Sequence, residues 1–134
     1  MCCGTKYLCY IRISICRLGA VVPHCIIEYS KDLESSVKPL ALINAVHQGA
    51  VASKLFDESH IKTRLRSYVH YQTGVGDGAF IHVTASILSG RTVSQKAILS
   101  STILRQLEKL ELSAVIITVQ ICDIETESYS KVVL

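Results

Sequence analysis

The side chains best suited to metal or redox chemistry are not spaced for it. Cys2, Cys3, Cys9 and Cys16 crowd into the first sixteen residues, and only Cys25 and Cys122 lie beyond. No CxxC pair and no Cys/His ladder of zinc spacing occurs, and two scattered cysteines make no disulfide framework. His24, His70 and His82 sit singly on separate alternating stretches, a distribution that fits packed or interface histidines better than metal ligands. There remains Pro23, in AVVPHCIIEYS, at the mouth of an alternating apolar run. Inside a chain its nitrogen is a tertiary amide with no usable basicity, so any chemistry at Pro23 depends on what precedes it.

Residues 1–22 differ in character from the rest. They carry Lys6, Arg12 and Arg17 and no acid, which leaves eleven of the fourteen basic residues against all eleven acidic ones from residue 23 onward. The net charge of +3 therefore belongs to the leading segment, and the remainder has no basic footprint for nucleic acid. Arg12 and Arg17 interrupt the apolar run that a secretory signal or a membrane span needs. The segment reads instead as translated upstream sequence outside the fold, with a GTG-type start at Val21 or Val22 placing Pro23 directly after the initiator. With 49% hydrophobic and 19% charged residues in 134, the remainder, residues 23–134, suffices for one cored domain. Its cysteine usage fits a reduced, cytoplasmic protein.

The elements that would position Pro23 follow from periodicity. PHCIIEYS alternates Cys25, Ile27 and Tyr29 against His24, Ile26 and Glu28, as a strand does, and Lys31, Asp32 and Glu34 form a solvated turn. Pro39 suits the first turn of a helix, and Leu42, Val46 and Ala50, with Ile43 beside them, carry that helix to about Ser53. HIKTRLRSYVHYQTG reads as a second strand, with Leu65, Ser67, Val69 and Tyr71 against Arg66, Tyr68 and His70, and GVGDG is the turn after it. The order then repeats. AFIHVTASIL is a strand, SGRT leads into a helix carrying Leu99, Ile103, Leu107 and Leu110, and SAVIITVQICDIE is the last strand. The fold class is α+β: a β-α-β unit used twice, giving a four-stranded sheet with both helices on one face. The other face, with Arg66, Tyr68, His70, Phe80, His82 and Thr84, is too amphipathic to stay wet, and identical subunits would cover it.

A duplicated β-α-β unit that opens on proline resembles the tautomerase superfamily, in particular the 5-carboxymethyl-2-hydroxymuconate Δ-isomerase family. The likeness lies in PHCIIEYS, LRSYVHY and GAFIHVTASILSGRT and their spacing, and runs from about Pro23 to Glu125. It implies a cofactor-free, metal-free isomerase of aromatic-compound catabolism, a homotrimer whose N-terminal proline amine is the base. A free α-amine titrates at roughly 7.7–8.0, and burial or neighbouring cations depress it toward a useful operating range. The substrate implied is an unsaturated dicarboxylate, and on the family pattern Arg66 and Arg91 fall at the arginine positions that would hold its carboxylates, Arg91 as an exposed guanidinium after Gly90. Tyr68 and Phe80 would line the pocket. Taken alone, either arginine reads as an ordinary ion pair and either aromatic as packing.

Two features depart from the family pattern. The loop QTGVGDG is short, and Tyr68 stands where a third arginine is often found. Both bear on the substrate more than on proton transfer. Another superfamily reaction on a 2-oxo acid or enol is the alternative, as is a non-catalytic trimeric module in which Pro23 is only a strand-edge proline.

Overall fold

The computed structural model describes residues 22–76 and 78–134; the leading segment, apart from Val22, and Asp77 of the turn lie outside the described residues. The elements run β1 (His24–Ser30), α1 (Pro39–Ala52), β2 (Lys62–Tyr68), β3 (Ala79–Leu88), α2 (Val93–Glu108) and β4 (Val115–Ile124). Short 3-10 turns occupy Lys31–Ser35, Glu58–His60 and Thr126–Ser128. The sheet order is β2-β1-β3-β4. β1 runs parallel to β2, β3 runs parallel to β4, and the two pairs join antiparallel through β1 and β3. Each parallel pair is one β-α-β unit, so the duplication expected from the sequence is the architecture observed.

Strand alternation sorts the residues by face. Cys25, Ile27 and Tyr29 of β1 and Ile81, Val83, Ala85 and Ile87 of β3 are buried under the helices with Leu42, Val46 and Ala50 of α1 and Leu99, Ile103 and Leu107 of α2. Each such aliphatic chain contributes roughly 1.5–3 kcal/mol on leaving water, which is ample reason for the alternation to be kept. α1 starts without a side-chain cap, relying on Pro39 in its first turn. α2 starts on a capping box, in which Thr92 Oγ1 accepts from the Gln95 N–H at 3.1 Å and Gln95 Oε1 accepts from the Thr92 N–H at 2.9 Å. The helices meet where Gly49 faces the backbone of Ile103: a Cβ at Gly49 would stand 2.5 Å from Ile103 Cα.

Three details differ from the sequence reading. β2 ends at Tyr68 and the chain bends at Val69 and His70, so Tyr71 leaves the alternation and meets Phe80 on the open face, ring centroids 5.3 Å apart. Lys31, Asp32 and Glu34 do more than solvate a turn, since Glu34 accepts from the buried Tyr29 hydroxyl at 2.6 Å and Asp32 from the Tyr71 hydroxyl at 2.9 Å. Burial, with Glu34 close by, pushes the Tyr29 phenol up to about 12. α2 closes at Glu108, before Leu110, which packs on the core from the loop.

Candidate active site

Pro23 sits at the head of β1, fully buried, and its carbonyl accepts from the Lys62 N–H at 3.1 Å, which pins it to the start of β2. Val22 before it has φ +41, a region that a β-branched residue occupies only under strain. Val22 also precedes a proline, which independently favours extended backbone. The join between the leading segment and the fold is thus conformationally costly.

Arg91 lies at the same end of the sheet, on the helix side. Gly90, at φ +117, makes the turn out of β3 that only glycine takes without strain. The Arg91 guanidinium is not exposed as the sequence suggested: it is half-buried, donates through Nη2 to the Leu55 carbonyl at 2.8 Å and stands 5.8 Å over the Phe56 ring. It ties the β3–α2 junction to the loop after α1.

Arg66, Tyr68 and Phe80 belong to the other end and the open face. Arg66 is exposed, aligned with Glu28, and among the described residues its side chain forms no ion pair or hydrogen bond. In register it lies five residues beyond Pro23, roughly 16 Å along the sheet at ~3.3 Å per residue. Tyr68 donates to Glu28 Oε2 and packs against Phe80 at 6.1 Å between centroids. These two, with Glu28, Tyr71, Gln72, Thr73 and His82, line an open groove of about 410 Å³. Phe80 is fixed by its own N–H, which donates to the buried Ser30 Oγ at 2.8 Å. His82 lies between Thr118 Oγ1 at 2.6 Å and Gln120 Oε1 at 3.3 Å, so it is held by β4. Within one chain Pro23 and Arg91 therefore lie at one end of the sheet, and Arg66, Tyr68 and Phe80 toward the other.

Two groups near Pro23 escaped the sequence reading. Arg64 Nη1 lies 3.3 Å from His24 Nδ1, and His24 Nε2 lies 3.1 Å from the Tyr129 hydroxyl. Burial first, then the charges of Arg64 and Lys62, hold the His24 imidazole below its usual pKa and so favour its neutral form. Strand register could have found Arg64, since it shares the polar alternation with Arg66; nothing local in the sequence links Tyr129 to His24. Among the described residues no group of three or more His, Cys, Asp or Glu is gathered as a metal site, and no helix is long and apolar enough to cross a membrane.

Residues 23–128 match the sequence profile of the family described as 5-carboxymethyl-2-hydroxymuconate isomerase. No curated protein matches the chain. Among solved structures, the chain is similar to a 5-carboxymethyl-2-hydroxymuconate isomerase from Deinococcus radiodurans R1, with TM-score 0.73 and 17% identity over 85% of this chain and 91% of that one. It is also similar to a 5-carboxymethyl-2-hydroxymuconate delta-isomerase, with TM-score 0.69 and 19% identity over 81% and 86% of the two chains. A fused 4-OT wild type symmetric trimer follows at TM-score 0.61 and 20% identity, over 77% and 86%. At these identities the structures establish the shared fold, and the profile match, which covers most of the chain and begins at Pro23, establishes the lineage: the chain belongs to the 5-carboxymethyl-2-hydroxymuconate isomerase family.

Proposed function

We propose that the working protein begins at Pro23 and is a cofactor-free isomerase that shifts a proton within a 2-hydroxymuconate-type unsaturated dicarboxylate. The observation that carries the reading is that the family match begins at Pro23, the residue pinned at the head of β1. With residues 1–22 absent, Pro23 is a secondary amine. Deprotonated, it takes an allylic proton from the substrate, the dienolate is stabilised by cations and backbone donors, and the prolinium returns the proton to another carbon. Arg91 and Arg66 hold the carboxylates, and Tyr68 and Phe80 line the pocket. The strain at Val22 supports a fold that does not need the residues before Pro23.

The separation between the Pro23 end and the Arg66 end exceeds a muconate-sized acid. A homotrimer resolves this by setting the groove end of one chain against the Pro23 end of its neighbour, which also covers the open sheet face. The place of the reaction is aromatic-compound catabolism in the cytoplasm. The test compares the chain begun at Pro23 on 2-hydroxymuconates and on phenylenolpyruvate. Preference for the dicarboxylates supports the reading; turnover of the simple enol alone moves the protein to another tautomerase reaction. A second reading, a non-catalytic trimeric module, is favoured by one fact: in the full chain Pro23 is an amide. It prevails if neither acid is turned over.

A further inference from the structure

Arg64 and Lys62 stand side by side on the open face of β2, both exposed, at the end where Pro23 lies. Lys62 is aligned with His24, and its N–H is the group bonded to the Pro23 carbonyl. Arg64 is aligned with Ile26, yet its guanidinium turns back to His24 Nδ1. An arginine only donates, so Nδ1 must accept, and the neutral ring then carries its proton on Nε2 and donates to the Tyr129 hydroxyl. Tyr129 is in turn fixed after β4, where its N–H donates to the Thr126 carbonyl at 3.3 Å and the Thr126 hydroxyl lies 3.0 Å from Ser89 Oγ. Among the described residues, no ion pair engages Lys62 or Arg64. Among the described residues the arrangement is two cations with no acidic partner, one of them held by the neutral imidazole of His24, the residue next to Pro23. Such a fork suits a carboxylate, which takes two parallel N–H donors.

We propose that Arg64, flanked by Lys62, binds one carboxylate of the substrate beside Pro23, and that His24 and Tyr129 are positioning residues that aim it. This rests on the isomerase reading above and gives the open face a cation at the Pro23 end, which Arg66 and Tyr68 do not occupy. Because that carboxylate keeps its charge through the proton shift and is gripped equally before and during it, Arg64 acts on KM more than on kcat.

The test is calorimetric titration with adipate, a saturated dicarboxylate that cannot be isomerised, of both the full chain and the chain begun at Pro23, with turnover measured in parallel. In the form that binds adipate, Arg64→Ala weakens binding roughly 10- to 100-fold, the loss expected for a charge-assisted hydrogen bond. Arg64→Lys falls between, since it keeps charge and loses the fork. His24→Leu weakens binding, whereas His24→Asn, which offers an acceptor near the position of Nδ1, restores most of it; a merely structural role for His24 would not show that rescue. Arg105→Ala, exposed on α2, leaves affinity unchanged. Adipate affinity indifferent to Arg64, or no adipate binding in either form, overturns the subsite even if the enzyme is active. Arg64-dependent binding without turnover leaves the subsite standing and removes the isomerase reading instead.

Discussion

Gly49→Ala tests how the two halves of the fold are held in register. An alanine Cβ at this position would lie 2.5 Å from Ile103 Cα, 2.9 Å from Ile103 N and 3.0 Å from the Thr102 carbonyl oxygen. All three are backbone atoms of α2, so no side chain can rotate away, and the helices must part by about 1 Å to restore ordinary contact near 3.5 Å. Overpacking of this kind costs roughly 1–3 kcal/mol. Replacing glycine inside a helix returns roughly 0.8–1.0 kcal/mol. Contact with backbone at 2.5 Å puts the overpacking cost in the upper half of its range, so the balance is a net loss of about 1–2 kcal/mol and a fall in Tm of roughly 4–10 °C, read by calorimetry at fixed protein concentration. The same separation shifts the loop after α1, which accepts the Arg91 bond through Leu55, so turnover should fall with stability. Gln48→Ala, one residue away and exposed, serves as control. A Tm equal to or above that of the parent chain in Gly49→Ala would mean that α1 and α2 do not approach through Gly49, and the positioning of Arg91 would have to be explained differently.

Arg91→Ala should lower kcat/KM by roughly 10- to 100-fold for any dicarboxylate accepted, and Arg66→Ala similarly, each losing a charge-assisted hydrogen bond; wild-type kinetics in both would remove them from the site. Arg91→Ala should also lower Tm, because the Leu55 and Phe56 contacts go with it, whereas exposed Arg66→Ala should not. Light scattering at micromolar concentration should give a trimer, and a monomer would contradict the proposed joining of the Pro23 and Arg66 ends. His24 has a depressed pKa in the fold, so between that value and about 6.5 the unfolded chain binds more protons than the folded one. Its contribution is present above about 6.5 and is lost as pH falls toward the folded value. Urea melts from about pH 7 down to about 5 should therefore show a steeper loss of stability for the parent chain than for His24→Asn, and identical slopes would refute the depressed pKa.

The repeat was legible because β1 as far as Tyr29, and β3 from Phe80, alternate between a buried and a part-exposed face. β3 spans the AFIHVTASIL read from sequence, and in β1 the face that alternation grouped as Cys25, Ile27 and Tyr29 is the buried one. The errors fall where tertiary contacts override periodicity. Nothing in LRSYVHY signals that the chain bends after Tyr68, because the bend is fixed by Tyr71 reaching Asp32 and Phe80. Gly49 reads as an unremarked helix glycine until α2 is placed against it. Arg66 and Arg91, and the role of Pro23 as a base, came from the family pattern; periodicity alone would have ranked the two arginines with other polar positions. Arg64 was passed over because its role comes from side-chain direction: strand register aligns it with Ile26, yet it reaches His24.

The central claim is that Pro23 works as a free amine, and one paired measurement addresses it: intact mass and turnover, on the same samples, of the chain made from Met1 and of the chain made from Met-Pro23. Removal of the initiator should leave the shorter protein with a free proline. Its mass should show that, and isomerase activity should appear with a basic limb set by the prolinium, below the usual α-amine range if the arginines are close. Acetylating that amine should abolish the activity. The longer protein, with residues 1–22 still attached by mass, should be inactive or nearly so. Equal turnover from the two, with the leading segment shown to be intact, would contradict the proline-base mechanism.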